Sequence, residues 1–230
     1  MNAQLPLALG GWRQLSFDNF WAVQDALLIK RLQLIAQFPA SLRILMTGSP
    51  DSGKTHLLLA SCERAREHGH SVLFLPLARI GADELRDAHL ADLIAVDDAH
   101  LATTDADLAH ALFATINRQH DRQAAVLIAA RTGPEDSPGM LRDLSSRLAQ
   151  AERLRIAQHD DDARKQILLL RASDAGMPLD SAAADYLLRH SDRDLRSLMA
   201  QLARLDREAL ARGRRITVPL LRELLTVRND

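Results

Sequence analysis

Gly48-Ser-Pro-Asp-Ser-Gly-Lys-Thr55 decides how this chain is read. Before it runs a short apolar stretch, Arg43-Ile-Leu-Met-Thr47, and after it, from Thr55 to His68, apolar residues recur at helical spacing. The order is strand, glycine-rich loop, helix. A tight turn at that junction lets backbone N–H groups surround phosphate oxygens, and the helix N-terminus adds the positive end of its dipole. Lys54 would meet the outer phosphates and Thr55 would offer its hydroxyl to a magnesium ion, so Gly48, Ser52, Gly53, Lys54 and Thr55 are the candidate phosphate-binding residues. The chain holds only three lysines, Lys30, Lys54 and Lys165, which sharpens the significance of one at this place.

Outward from the loop the pattern repeats. Ser71-Val-Leu-Phe-Leu-Pro76, Asp92-Leu-Ile-Ala-Val-Asp97 and Ala124-Ala-Val-Leu-Ile-Ala129 read as buried strands, and Ala22 to Gln37 and Asp105 to His120 carry helical periodicity. Strands alternating with helices imply an α/β fold with a parallel sheet covered on both faces. After about Ile156 the strands stop. Asp160 to Ala175, Ser181 to Leu188, Asp192 to Arg212 and Pro219 to Thr226 read as helices, opened by the acidic Asp160-Asp-Asp162 and punctuated by Gly176 and Gly213. The expected organisation is a flexible tail over 1–12, an α/β nucleotide-binding domain over 13–158 and a small all-helical domain over 159–230.

The strand ending in Asp97-Asp98 is a natural second half of a phosphate site, because an acid at the carboxyl end of a buried strand can approach the metal. Asp97 would hold magnesium through water. Asp98 is placed either to polarise an attacking water or to cap the segment that starts at Ala99.

At 230 residues, 47% apolar and 26% charged, the composition is that of a globular protein, and no apolar run reaches membrane-spanning length. No secretory leader pattern opens the sequence, and the single cysteine, Cys62, fits a reducing compartment, so the expectation is a cytoplasmic protein with no membrane association. A net charge of −1 argues against gripping nucleic acid as the main task, leaving DNA contact indirect or weak. The arginines between Arg204 and Arg215 read as a solvated helix face more readily than as a DNA contact.

With the phosphate loop, the Asp-Asp strand end and a helical tail in one order, the chain resembles the AAA+ ATPases, in the branch of the replication initiator DnaA. Ser16-Phe-Asp-Asn-Phe20 is similar to the phrase that opens the DnaA nucleotide domain, which implies that Phe17 belongs to the adenine pocket. Leu144-Ser-Ser-Arg-Leu148 resembles the arginine-finger box, which implies that Arg147 acts in trans on a neighbour's nucleotide. Its plain alternative is a surface arginine. Asp192-Arg-Asp-Leu-Arg196 resembles the second sensor and implies that Arg193 contacts bound nucleotide from the helical domain, the lid. The sequence stops at Asp230, where DnaA initiators continue into a helix-turn-helix domain, so that domain is not expected here.

From end to end the chain is similar to the Hda family, DnaA-related regulatory inactivators of replication initiation. Gln4-Leu-Pro-Leu-Ala-Leu9 resembles that family's peptide for the DNA polymerase III β sliding clamp. Leu5, Leu7 and Leu9 would enter an apolar groove while Gln4 fixes register by hydrogen bonding. The alternative is an ordinary apolar tail. The resemblance implies ADP or ATP with Mg²⁺ as ligand, DnaA and the clamp as partners, a nucleoid or replisome location, and a role in promoting hydrolysis of DnaA-bound ATP; a homo-oligomer is also open. One departure stands out. After Val126-Leu-Ile128, where the family places a polar or acidic sensor, this chain reads Ala129-Ala-Arg131, so a water-positioning group is missing and intrinsic hydrolysis is expected to be weak or absent. Rival readings are a helicase loader or similar ATP-driven enzyme using Asp98, and a clamp-tethered adaptor with nucleotide as a structural ligand.

Overall fold

Strand β1 (Arg43–Thr47) lies inside a parallel sheet of order β2-β3-β4-β1-β5, in which β2 is Val72–Pro76, β3 Leu93–Asp97, β4 Ala125–Ala130 and β5 Glu152–Arg155. This computed structural model describes residues 15–21, 25–191, 194–211, 213 and 216–226. They form two compact units, one from Leu15 to Gln158 and a helical one from His159 onward.

The inner strands read as continuous apolar runs because both their faces are buried. Ile44, Met46, Leu93, Ala95, Leu127 and Ala129 face a core built with helix α1 (Ala26–Gln37) and helix α2 (Lys54–Glu67). The alternate residues Leu45, Ile94, Val96, Val126 and Ile128 face a second core with α3 (Ala82–Arg86), α4 (Ala106–Asp121) and α5 (Arg142–Ala149). Burying residues such as Ile44, Leu45, Leu57 and Leu112 contributes about 1.5–3 kcal/mol each, which is what fixes the strand register. Cys62 is fully buried in the first core, and burial pushes its thiol up to about 12, which leaves it an inert apolar filler.

Some elements of this unit, β5 and α5 among them, carry no readable signature in the sequence, each for a physical reason. Strand β5, Glu-Arg-Leu-Arg, is an edge strand whose residues alternate between half-buried and exposed, so it lacks the apolar run that marks the other four. Its charges are used: Glu152 pairs with Arg31 and Arg153 with Glu135. Helix α5 spans only 8 residues, too few to display a period.

The helical unit contains α6 (Asp161–Asp174), α7 (Ser181–His190), α8 (Leu195–Ala211) and α9 (Val218–Thr226), around a core that includes Leu168, Leu187, Leu198, Leu202 and Leu220. Asp160 caps α6 by accepting from the Ala163 N–H at 2.8 Å. Gly176 ends the helix at a φ of +69°, donating its N–H to Ser173 while Met177 donates to Ala172, the paired bonds of a Schellman stop. Helix α8 starts later than Asp192, because Asp194 caps it through the Ser197 N–H. Among the described residues no helix is long and apolar enough to cross a membrane.

Candidate nucleotide site

All five strands run the same way, so the loop after β1 and the acidic end of β3 meet at one edge of the sheet. That loop is Gly48 to Gly53, and α2 opens at Lys54. No side chain caps α2, so its first amides point into the loop. A methyl group on Gly48 would sit 2.6 Å from Ser52 Oγ. Gly53 has a φ of +93°, and a methyl group there would meet Phe20 at 2.6 Å. Gly53 therefore requires glycine, and a side chain at Gly48 would have to displace the buried Ser52 hydroxyl.

Lys54 Nζ donates to the carbonyls of Gly48 at 2.9 Å and Ser49 at 2.7 Å, and to Ser52 Oγ at 3.3 Å. Its ammonium is thus held inside the curve of the loop. Burial lowers its pKa, the negative charges of Asp97, Asp98 and Asp51 oppose that, and the positive charge of Arg131 adds to it. Thr55 Oγ1 donates to Asp97 Oδ2 at 2.6 Å, and the Asp98 N–H donates to Asp97 Oδ1 at 2.9 Å. Asp97 is 4% exposed, and burial is the main reason its carboxyl is pushed above the ordinary value, against the bond from Thr55. A hydroxyl and a carboxylate on adjoining elements are the hard oxygen donors that suit magnesium beside phosphates.

Asp98 stands in the left-handed region at a φ of +56°, at the head of a 3-10 turn over Ala99–Thr103, and its side chain makes no cap bond to that turn. A non-glycine residue there costs roughly 1–2 kcal/mol. The capping alternative for Asp98 does not hold.

Strand β4 runs between β1 and β3, with Thr47 level with Ala130 and Val96 level with Ile128. Arg131 comes next, at the level of Gly48, between the loop and the acidic strand end. The place after β4 thus carries an exposed cation. Beside it is His100, whose pKa burial lowers and Arg131 lowers further, and whose Nδ1 is buried with no partner among the described residues. Sequence reasoning met Arg131 only as the mark of a missing sensor and passed over His100, since neither an arginine nor a histidine at those places matches a motif.

Phe17 is 5% exposed, within the α1–α2 core, whereas the ring that touches the loop is Phe20, packed edge-on to His56 with centroids 5.2 Å apart. Arg147 is on the last turn of α5, which runs opposite to the strands from the end of β4 to the start of β5. It therefore sits at the amino edge of the sheet, beside Arg43, which opens β1. Five-residue strands separate that edge from Lys54 by roughly 16 Å. Gln4, Leu5, Leu7, Leu9 and Arg193 lie outside the described residues.

Residues 161–225 match the family model of the Hda lid domain. That stretch is an Hda-type lid by sequence, and the fold of the chain is that of the DnaA nucleotide domain. Domain III of the Thermotoga maritima replication initiation protein DnaA superimposes with a TM-score of 0.78 at 18% identity, covering 92% of this chain and 95% of that one. The replication initiator DnaA bound to AMPPCP and single-stranded DNA gives 0.69 at 20% identity, over 86% of this chain and 67% of that one. The Holliday junction branch migration motor RuvB of Thermotoga maritima gives 0.67 at 19% identity, over 96% and 74%. An uncharacterized protein of Haemophilus influenzae is 26% identical over 231 residues, covering 99% of this chain and all of that one. The matched lid begins with the helix that Asp160 caps and ends within α9.

Proposed function

We propose that this chain binds an adenine nucleotide with magnesium at Gly48 to Thr55 and regulates replication initiation by promoting hydrolysis of ATP held by DnaA. Lys54 would neutralise the outer phosphates, Thr55 would ligate the metal and Asp97 would hold it through water, while Phe20 would close one side of the loop. Arg193 of the lid would reach the same nucleotide. Docking on the sliding clamp through Gln4, Leu5, Leu7 and Leu9 would bring the protein to newly replicated DNA in the cytoplasm.

The observation that carries the reading is the place of Arg147. It stands at the amino edge of the sheet, away from the chain's own loop, and so is offered to another subunit. In the neighbour's site its guanidinium would stabilise charge on the γ-phosphoryl group as water attacks phosphorus and the bond to the β-phosphate oxygen breaks. Arginine fingers are worth about 10³–10⁵ in rate. For the chain's own nucleotide the acid Asp98 is present, but the place after β4 holds Arg131, which cannot accept a proton from water.

The test mixes the protein with ATP-loaded DnaA and DNA-loaded clamp and follows conversion to ADP. Arg147→Ala should abolish stimulation and leave clamp binding intact, and replacing Leu7 and Leu9 should remove clamp binding first. Vigorous DNA-stimulated hydrolysis by the isolated protein, with no initiator present, would instead favour an ATP-driven loader.

A further inference from the structure

Arg43 and Arg147 form a pair of like charges with no ion-pair partner among the described residues. Arg43 opens β1 and its guanidinium is half-buried. Its Nη1 is sealed from solvent with no partner among the described residues, and its Nη2 reaches only Gln150 Oε1, at 3.5 Å. Gln150 lies three residues after Arg147 at the end of α5, which sets both on one face of that helix and puts Arg147 next to Arg43. The acid that opens the neighbouring strand, Glu152, is already engaged by Arg31 at 2.7 and 2.9 Å. Burial lowers the Arg43 pKa and the positive charge of Arg147 lowers it further. A guanidinium of this kind is costly to desolvate unless an anion completes it.

The carbonyl end of α5 is the first candidate partner, since cations favour helix C-termini. It does not satisfy Arg43, because Nη1 donates no such bond. Among the described residues no carboxylate completes Arg43.

We propose that Arg43 and Arg147 together form a receptor for the polyphosphate of a nucleotide bound to a neighbouring subunit, with Arg43 the fixed, half-buried half and Arg147 the reaching half. This rests on the role proposed for Arg147 as an arginine finger. Arg43 acts in two ways. Its charge adds to that of Arg147, and its Nη2 edge, held only by the exposed 3.5 Å contact with Gln150, gives the incoming phosphate a further donor. The receptor therefore distinguishes a neighbour carrying triphosphate from one carrying diphosphate, by charge and by reach.

The experiment uses the full chain with its own loop filled by ADP and magnesium, and measures its affinity for DnaA loaded with AMPPCP or with ADP. The wild type should prefer the AMPPCP form by on the order of tenfold. Arg43→Gln should bring that preference to within about threefold, with the protein's own ADP affinity unchanged and a melting temperature no lower than that of the wild type. Gln150→Glu, at an exposed position, gives Arg43 an internal carboxylate and should reduce the preference in the same way while Arg43 remains in place. Arg43→Gln and Gln150→Glu both retaining the wild-type preference, while Arg147→Ala loses it, would overturn the role of Arg43 and leave the arginine-finger reading standing. A wild type that binds both forms of DnaA equally, or an Arg147→Ala protein that keeps the preference, would overturn both.

Discussion

Thr55 and Asp97, 42 residues apart in sequence, hold each other by a 2.6 Å hydrogen bond from hydroxyl to carboxylate at the carboxyl edge of the sheet. The bond occupies the same two donor groups that a magnesium ion would use. Asp97→Asn therefore separates stability from function. The Asp97 pKa is raised in the fold, so the ionised carboxylate costs stability at every pH above that value, and a neutral isostere removes the cost. The variant should gain about 0.5–1 kcal/mol in denaturant unfolding at neutral pH and lose magnesium-dependent nucleotide affinity in calorimetric titration.

Gly53→Ala should damage the loop by distorting its backbone, although it removes no side chain from the candidate phosphate site. The new methyl meets Phe20 at 2.6 Å in a backbone already at a φ of +93°. About 2 kcal/mol of stability should be lost, seen as a lower denaturant midpoint with unchanged slope.

Arg131→Ala tests the cation that stands after β4. Arg131 acts on Lys54 and His100 from the level of Gly48, so it should favour the ligand with more negative charge. Fluorescent-nucleotide titration should show ATP affinity falling by about tenfold and ADP affinity by less than about threefold. Equal losses for both nucleotides would mean that Arg131 serves the loop and not the terminal phosphate.

The Arg31–Glu152 pair gives the fold a pH signature. Its hydrogen bond from Arg31 holds the Glu152 carboxyl below the ordinary value of 4.5. A depressed carboxyl contributes stability that is complete above its unfolded pKa and is lost as pH falls through its folded one. Glu152→Gln should thus cost about 0.5–1 kcal/mol at pH 7, modest because both side chains are about one-third exposed, and the gap from wild type should close as pH falls below 4.5 through the lower folded value.

Legibility in the sequence tracks burial. The inner strands and α2 could be read because both sheet faces are covered and the apolar runs are unbroken. Strand β5 could not, since it is half charged and its Glu152 works through Arg31, 121 residues away. The loop from Gly48 to Thr55 and the acid at Asp97 were readable because their chemistry needs those residue types at that spacing. Arg131 and His100 were not, because only the topology, with β4 lying between β1 and β3, brings them to the phosphate loop. Phe17 and Phe20 illustrate the limit within one motif: both are aromatic, and packing alone decides that Phe20 is the one against Gly53.

The separation of Lys54 and Arg147 to opposite edges of one sheet gives this chain a head and a tail. Contacts of that kind are heterologous, and a row built from them always leaves one unlike face open at each end. On the roles proposed here, a copy of this chain seated at the end of a row of DnaA subunits reaches one triphosphate only. Inactivation would then travel along the row a subunit at a time, from one end, with direction set by the polarity of a parallel sheet.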